Sequence, residues 1–161
     1  MRSLLSLAAR LACASLALGA SAAAQNCVVA GIQTTDFGTE CGFFGGAHLD
    51  LEWNASACAL DVLLDAPACC NTFVSEHFLA YGLAAGNPQP LPAPFLPNCF
   101  LQLSAPTVLG PFPGTESQLP VPQDAALLGL PIQTQAFPVY FTTIGLTTDY
   151  GATQGVELVL Q

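Results

Sequence analysis

Apolar positions in this chain recur with a period of two, the spacing of strands. Leu49, Leu51 and Trp53 alternate with His48, Asp50 and Glu52, which predicts a strand over 47–54 with its apolar side inward. Ile132, Thr134 and Ala136 alternate with Gln133, Gln135 and Phe137, and Val156, Leu158 and Leu160 share one face of a closing strand over 155–161. Further strands are expected over 27–33, 59–65, 72–83, 99–103 and 140–148, with a fragment over 107–109 and Ser117–Pro122 leading into 121–137. In 72–83 a strand puts Phe73, Ser75, His77, Leu79 and Tyr81 on one face. A helix there would group Val74, His77, Phe78 and Tyr81 instead.

Glycine and proline divide these segments. Gly38, Gly42, Gly45 and Gly46 make 34–46 a loop, Pro67 turns 66–71, and turns are expected over 110–115 and 149–154. Five prolines make 86–98 an extended surface connection, whose Phe95 and Leu96 would pack as a lid or face a partner. Asp124 is placed to cap a short helical turn over 124–128, which Gly129 ends and Pro131 cannot continue. Eight or nine short strands with one helical turn predict an all-β fold, an antiparallel β-sandwich of Ig-like or jelly-roll type. The sequence contains no exact repeat and gives no sign of a second domain.

Residues 1–24 have the pattern of a cleaved signal peptide: Arg2, an apolar run, and Ala22-Ala23-Ala24 as the cleavage site. A lipid-attachment reading at Cys13 is opposed by Arg10, which stands where an apolar residue belongs. Cleavage leaves one domain over 25–161, secreted, periplasmic or at the cell surface. No later run is apolar and proline-free for long enough to span a bilayer, so an integral membrane protein is not expected.

Charge then narrows the partners. Both arginines lie in the leader and there is no lysine, whereas the domain has 11 carboxylates and two histidines. Nothing can neutralise phosphates, so nucleic acid and anionic membrane surfaces are not expected partners. Charged residues are 8% and apolar residues 52% of the sequence, so much of the surface is neutral or apolar. Such a surface favours a protein or polysaccharide neighbour, or a second copy of the chain.

Six cysteines follow the leader: Cys27, Cys41, Cys58, Cys69, Cys70 and Cys99. An even number in an exported chain predicts three disulfides, and the spacings do not fit a zinc site. The pairing is left open, but Cys69 and Cys70 are expected to have different partners, because joining neighbours strains the peptide between them.

Candidate chemistry is sparse. Alternation puts His48, Asp50 and Glu52 on one strand face about 7 Å apart in turn. They could hold a divalent cation, Ca²⁺ for example, if Glu76 or His77 joined them; the plainer reading is a solvated strand face. His77 beside Glu76 has the makings of a general base, but its apolar neighbours favour a buried, hydrogen-bonded ring. There is no Gly-x-Ser-x-Gly in the mature chain, no zinc-protease helix and no phosphate-binding glycine loop, so no catalytic residue is assigned. Trp53 with Phe43 and Phe44 could form a sugar platform, although alternation turns Trp53 inward. Asn54-Ala55-Ser56 matches a glycosylation triplet.

One family resemblance rests on Leu79-Ala80-Tyr81-Gly82-Leu83, Pro90-Leu91-Pro92, Cys99 with Leu101 and Leu103, and Val121-Pro122 with Asp124. It continues through Ala126-Leu127-Leu128-Gly129-Leu130, Gln133 and Gln135, then Gly145-Leu146-Thr147-Thr148 and Gly155-Val156-Glu157-Leu158. In these features the run from Phe78 to Leu160 resembles a C-terminal module of secreted proteins from planctomycete-type bacteria. The resemblance implies an exported bacterial β-sandwich and assigns it no function. The extra cysteines depart from the pattern. The expected function is therefore contact without catalysis in an envelope, surface or extracellular setting. The alternatives are a carbohydrate- or calcium-binding module and, in third place, a small secreted hydrolase.

Overall fold

The structure, a computed structural model, describes residues 27–161. The expected leader over 1–24, with Cys13, lies outside the described residues. The strands are β1 (Ile32–Phe37), β2 (His48–Asn54), β3 (Ala59–Asp65), β4 (Thr72–Gly82), β5 (Ala85–Pro90), β6 (Phe100–Leu103), β7 (Thr107–Pro113), β8 (Glu116–Pro120), β9 (Pro131–Thr142), β10 (Thr147–Tyr150) and β11 (Gly155–Leu160). They form a six-stranded sheet in the order β1-β11-β9-β4-β7 with β10 also on β9, a three-stranded sheet β2-β3-β8, and a β5-β6 pair, all antiparallel. The fold is all-β and sandwich-like, as the alternation predicts, but with eleven strands among the described residues in place of eight or nine.

The large sheet is covered on both faces. On one side, Leu79, Ala136, Val156, Leu158 and Leu160 meet Leu49, Leu51, Leu60, Val62 and Leu64 of the three-stranded sheet. On the other, Ala80 and Phe137 pack beneath Leu103 of β6 and Leu91, Phe95 and Leu96 of the proline-rich segment. That double cover explains β9, in which every residue from Gln133 to Tyr140 is buried. Phe95 and Leu96 thus act as a lid: Phe95 lies 5.7 Å from both Phe137 and Tyr150, and Leu96 N–H donates to the Tyr150 carbonyl at 2.8 Å.

Several expectations need correction. The first strand is β1, not 27–33, and it occupies part of the expected loop. It is an edge strand held by backbone pairing to β11, with Gln33–Asp36 exposed, so it carries no apolar alternation. Part of the proline-rich connection is strand β5. Strand β7 continues through the expected turn to Pro113, which an edge strand tolerates because its outward N–H groups need no partner. The strand expected over 140–148 divides at a turn between β9 and β10. In β4 the strand prevails over the helix, but a register shift between Val74 and Glu76 reverses the alternation. Val74 is buried and Phe73 exposed, while His77 and Leu79 remain inward.

Three disulfides join Cys27–Cys58, Cys41–Cys99 and Cys69–Cys70. The last pair overturns the expectation of separate partners. The other four cysteines pair elsewhere, and Cys70 and Asn71 adopt positive φ (59° and 66°), reversing the chain between β3 and β4.

In a domain without lysine or arginine, neutral side chains join the layers. Gln154 is paired with Leu49 of β2 as a strand would be: Leu49 N–H donates to Oε1 at 3.0 Å, and Nε2 donates to the Leu49 carbonyl at 2.9 Å. Gln135, wholly buried, accepts from Gln102 N–H and donates to the Phe100 and Thr153 carbonyls.

Candidate functional site

One open space among the described residues lies between the two sheets. Near Val121 and Pro122, which lead into the short 3₁₀ turn Ala125–Leu127, residues of the two sheets line a cavity of ≈ 450 Å³. Leu51, Leu60 and Leu119 line it from the three-stranded sheet, and Leu79, Ile132, Leu158 and Leu160 from the large sheet. Leu79 and Leu160 are almost fully buried, so the floor is the core itself. At the rim stand Tyr81, Leu83 and Leu109, exposed to 39%, 74% and 37%. Of the lining residues only Tyr81 and Thr134 carry a side-chain oxygen, and they are cross-strand partners on β4 and β9. A shallower concavity shares Tyr81 and Leu83 and continues to Ser104 and Thr107.

Local chemistry fixes the cavity's outer wall. As expected, Asp124 caps the 3₁₀ turn by accepting the Ala126 N–H at 2.9 Å, which places Leu127 in the lining. Cys27–Cys58 anchors the first described residues here. Val121 N–H donates to the Cys58 carbonyl at 3.1 Å, and Val28 N–H to Gln123 Oε1 at 2.7 Å.

The candidates taken from the sequence lie elsewhere. His48 is half-exposed, with Glu40 at 3.3 Å, Asp36 at 3.6 Å and Asp50 at 3.8 Å. Asp36 of β1 and Glu40 thus stand in the positions expected for Glu52, Glu76 or His77. His48 Nε2 also lies 3.2 Å from Gln154 Nε2. Among the described residues, no group of three or more His, Cys, Asp or Glu side chains has a geometry suited to a metal ion.

His77 is fully buried, its Nδ1 2.8 Å from the Gly114 carbonyl and its Nε2 3.0 Å from Ser117 Oγ. The carbonyl can only accept, so Nδ1 carries the proton and Nε2 accepts from the serine hydroxyl. Burial pushes the His77 pKa below 6.5, against the upward pull of the Gly114 hydrogen bond. A serine and a histidine in contact suggest a nucleophile and its base, but the ring has no surface to offer a substrate. Its place is structural, tying β4 to β8.

Trp53 packs against the inter-sheet core, with its buried Nε1 unpaired. Phe43 turns edge-on to Tyr140 at 5.5 Å, so the three aromatics form no common platform. Asn54 Oδ1 accepts from Ser56 Oγ at 2.7 Å and Ala57 N–H at 3.2 Å, and Nδ2 donates to Asp61 at 2.9 Å.

The cavity carries no motif. Each of its residues looks like an ordinary strand or turn position, and the run Leu79–Leu83 together with Val121–Leu127 was the nearest signal. No helix among the described residues is long and apolar enough to cross a membrane. Compared with protein families, curated proteins and solved structures, the chain matches none.

Proposed function

We propose that the chain is an exported, non-enzymatic binding protein that works by contact in the cell envelope or outside the cell. One observation carries this reading: the exposed rim of Tyr81, Leu83 and Leu109 opens onto the apolar cavity, and neither histidine is among the residues that line it. Sites that hold ligands are concave and mostly apolar with a few polar groups, and this one fits that description. Acyl transfer or hydrolysis needs a positioned base or nucleophile facing the substrate, and the lining offers a phenol and a threonine hydroxyl. Three disulfides support an oxidising compartment. The leader pattern and the resemblance to an exported bacterial module support the same setting.

Fractionation of native cells expressing the full chain with a C-terminal tag tests the reading. The expected product begins at Gln25, contains no free thiol, and co-sediments with envelope or extracellular material. Leu83→Glu releases it from that material. A reduced, unprocessed chain in the cytoplasm would overturn the proposal.

A further inference from the structure

We propose that the inter-sheet cavity binds a single uncharged hydrocarbon chain, the tail of a neutral acyl lipid, with the polar end of the lipid at Tyr81. The inference rests on the binding role proposed above and names the ligand. Three observations carry it.

The first is the floor. The cavity is bounded by Leu79 and Leu160, 1% and 2% exposed, and by Leu51 and Leu158, so anything that reaches it sits in the core of the sandwich. Such surroundings accept hydrocarbon and penalise any polar group without a partner. The second is size. A space of ≈ 450 Å³ lies within the range of about 300–1,000 Å³ typical of small-molecule sites. Wetted apolar walls are unfavourable, and a tail that displaces the water recovers that cost.

The third is charge, which selects the polar end. The described residues contain no lysine or arginine but include all 11 carboxylates of the sequence. A carboxylate or phosphate at the mouth would meet no counter-charge. Asp124 stands at the outer wall, already bonded to the Ala126 N–H. An alcohol or ester meets no such penalty and can exchange hydrogen bonds with the Tyr81 phenol, which both donates and accepts. A monoacylglycerol has this combination: one tail, neutral hydroxyls and an ester.

The test uses purified, disulfide-intact protein and the neutral probe N-phenyl-1-naphthylamine, whose emission rises in apolar surroundings. Three competitors share a myristoyl chain and are kept below their micellar concentrations: monomyristoylglycerol, ionised myristate and lyso-phosphatidylcholine. The probe is expected to bind and monomyristoylglycerol to displace it. Myristate should be weaker by about tenfold or more. Lyso-phosphatidylcholine carries a phosphate and should follow myristate; displacement equal to that by the glyceride would overturn the choice of an uncharged head. Leu79→Phe should close the floor. Should that variant not fold, Leu83→Glu, at an exposed rim position, should weaken uptake by about tenfold. Leu146→Glu, on the exposed β9–β10 turn, should leave uptake unchanged. Absence of uptake by the unaltered protein, equal displacement by myristate, or equal effects of Leu83→Glu and Leu146→Glu would overturn the assignment. A protein that binds no glyceride but still co-sediments with the envelope loses only this inference. A cytoplasmic, reduced chain loses the binding role whatever it takes up in the tube.

Discussion

Gln135→Leu removes the side chain that holds the second layer onto the large sheet. Gln135 is wholly buried and makes three hydrogen bonds: it accepts from Gln102 N–H at 3.0 Å and donates to the Phe100 and Thr153 carbonyls at 2.9 Å each. Leucine leaves those three backbone groups without this partner, at about 1–3 kcal/mol each. Its own burial returns about 1.5–3 kcal/mol. The expected net loss is about 3 kcal/mol, a large share of the roughly 5–15 kcal/mol that separates folded from unfolded domains. Urea unfolding should show a lower midpoint at an unchanged slope. Hydrogen exchange should place the earliest loss of protection in β6, because Phe100 and Gln102 belong to it. Gln135→Glu adds a diagnostic. Its carboxylate faces two carbonyls at neutral pH, so it should cost more than leucine and recover part of that loss when acid protonates it. Gln118→Leu is the control. Gln118 is exposed and bonds Asp61 on the surface, so its loss should stay within about 0.5 kcal/mol. A Gln135→Leu midpoint as little changed as that control would refute the reasoning.

Three other outcomes follow from the buried groups and the charge. Burial holds His77 below 6.5 and the Gly114 bond opposes the shift, so the unfolded chain takes up its proton first. Its contribution to stability is complete above about 6.5 and is lost as pH falls toward the lower folded value; urea midpoints between about pH 7.5 and about pH 5 should drop more in the unaltered protein than in His77→Gln. Tyr140 is pushed up to about 12 by burial first and the Glu40 charge second, and its hydroxyl is buried without a partner. The folded state therefore keeps that proton longer. About 2–3 kcal/mol of stability is lost as pH rises from about 10 to about 12, a step Tyr140→Phe should abolish while leaving neutral-pH stability equal or slightly higher. Finally, 11 carboxylates with no lysine or arginine in the domain should make the melting temperature rise between about 10 mM and about 150 mM NaCl; a flat or falling profile would contradict net repulsion.

The sequence is most legible where one face of a strand is buried and the other wet. Leu49 and Leu51 in β2, and Val156, Leu158 and Leu160 in β11, occupy the core as alternation predicts, and Asp124 caps its turn. Legibility fails where backbone pairing replaces side-chain burial, as in β1, whose Gln33-Thr34-Thr35-Asp36 is indistinguishable from loop. It fails again where both faces are covered, because β9 then shows polar residues inside. Gln133 and Gln135 look like solvent positions and are buried, Gln135 with every amide atom paired within the layers. The shift between Val74 and Glu76 inverts a face that period-two reasoning must carry straight through. The Cys69–Cys70 pair depends on a chain reversal with two positive φ angles, which residue spacing does not encode.

The candidate site was illegible for a different reason. A catalytic centre leaves polar residues at unusual places, and in this sequence those residues are His48 and His77. The first gathers Asp36 and Glu40 from a segment that looked like loop, and the second is sealed against Ser117. An apolar cavity leaves no such trace, because it is a shortfall of volume among residues that would be core in any case. Here the shortfall sits beside the turn at Ala125–Leu127, near the end of β4 and the start of β9, where Leu79, Ile132 and Leu158 line an open space. If the space were only a packing defect, enlarging it should merely destabilise the domain. If it is a site, Leu127→Ala should lower the unfolding midpoint of the empty protein and widen the range of tails accepted. Because a ligand that binds only the folded state stabilises it by mass action, much of the lost midpoint should return when a bulkier neutral tail is added. A midpoint that falls and cannot be restored by any neutral lipid would place the cavity among defects.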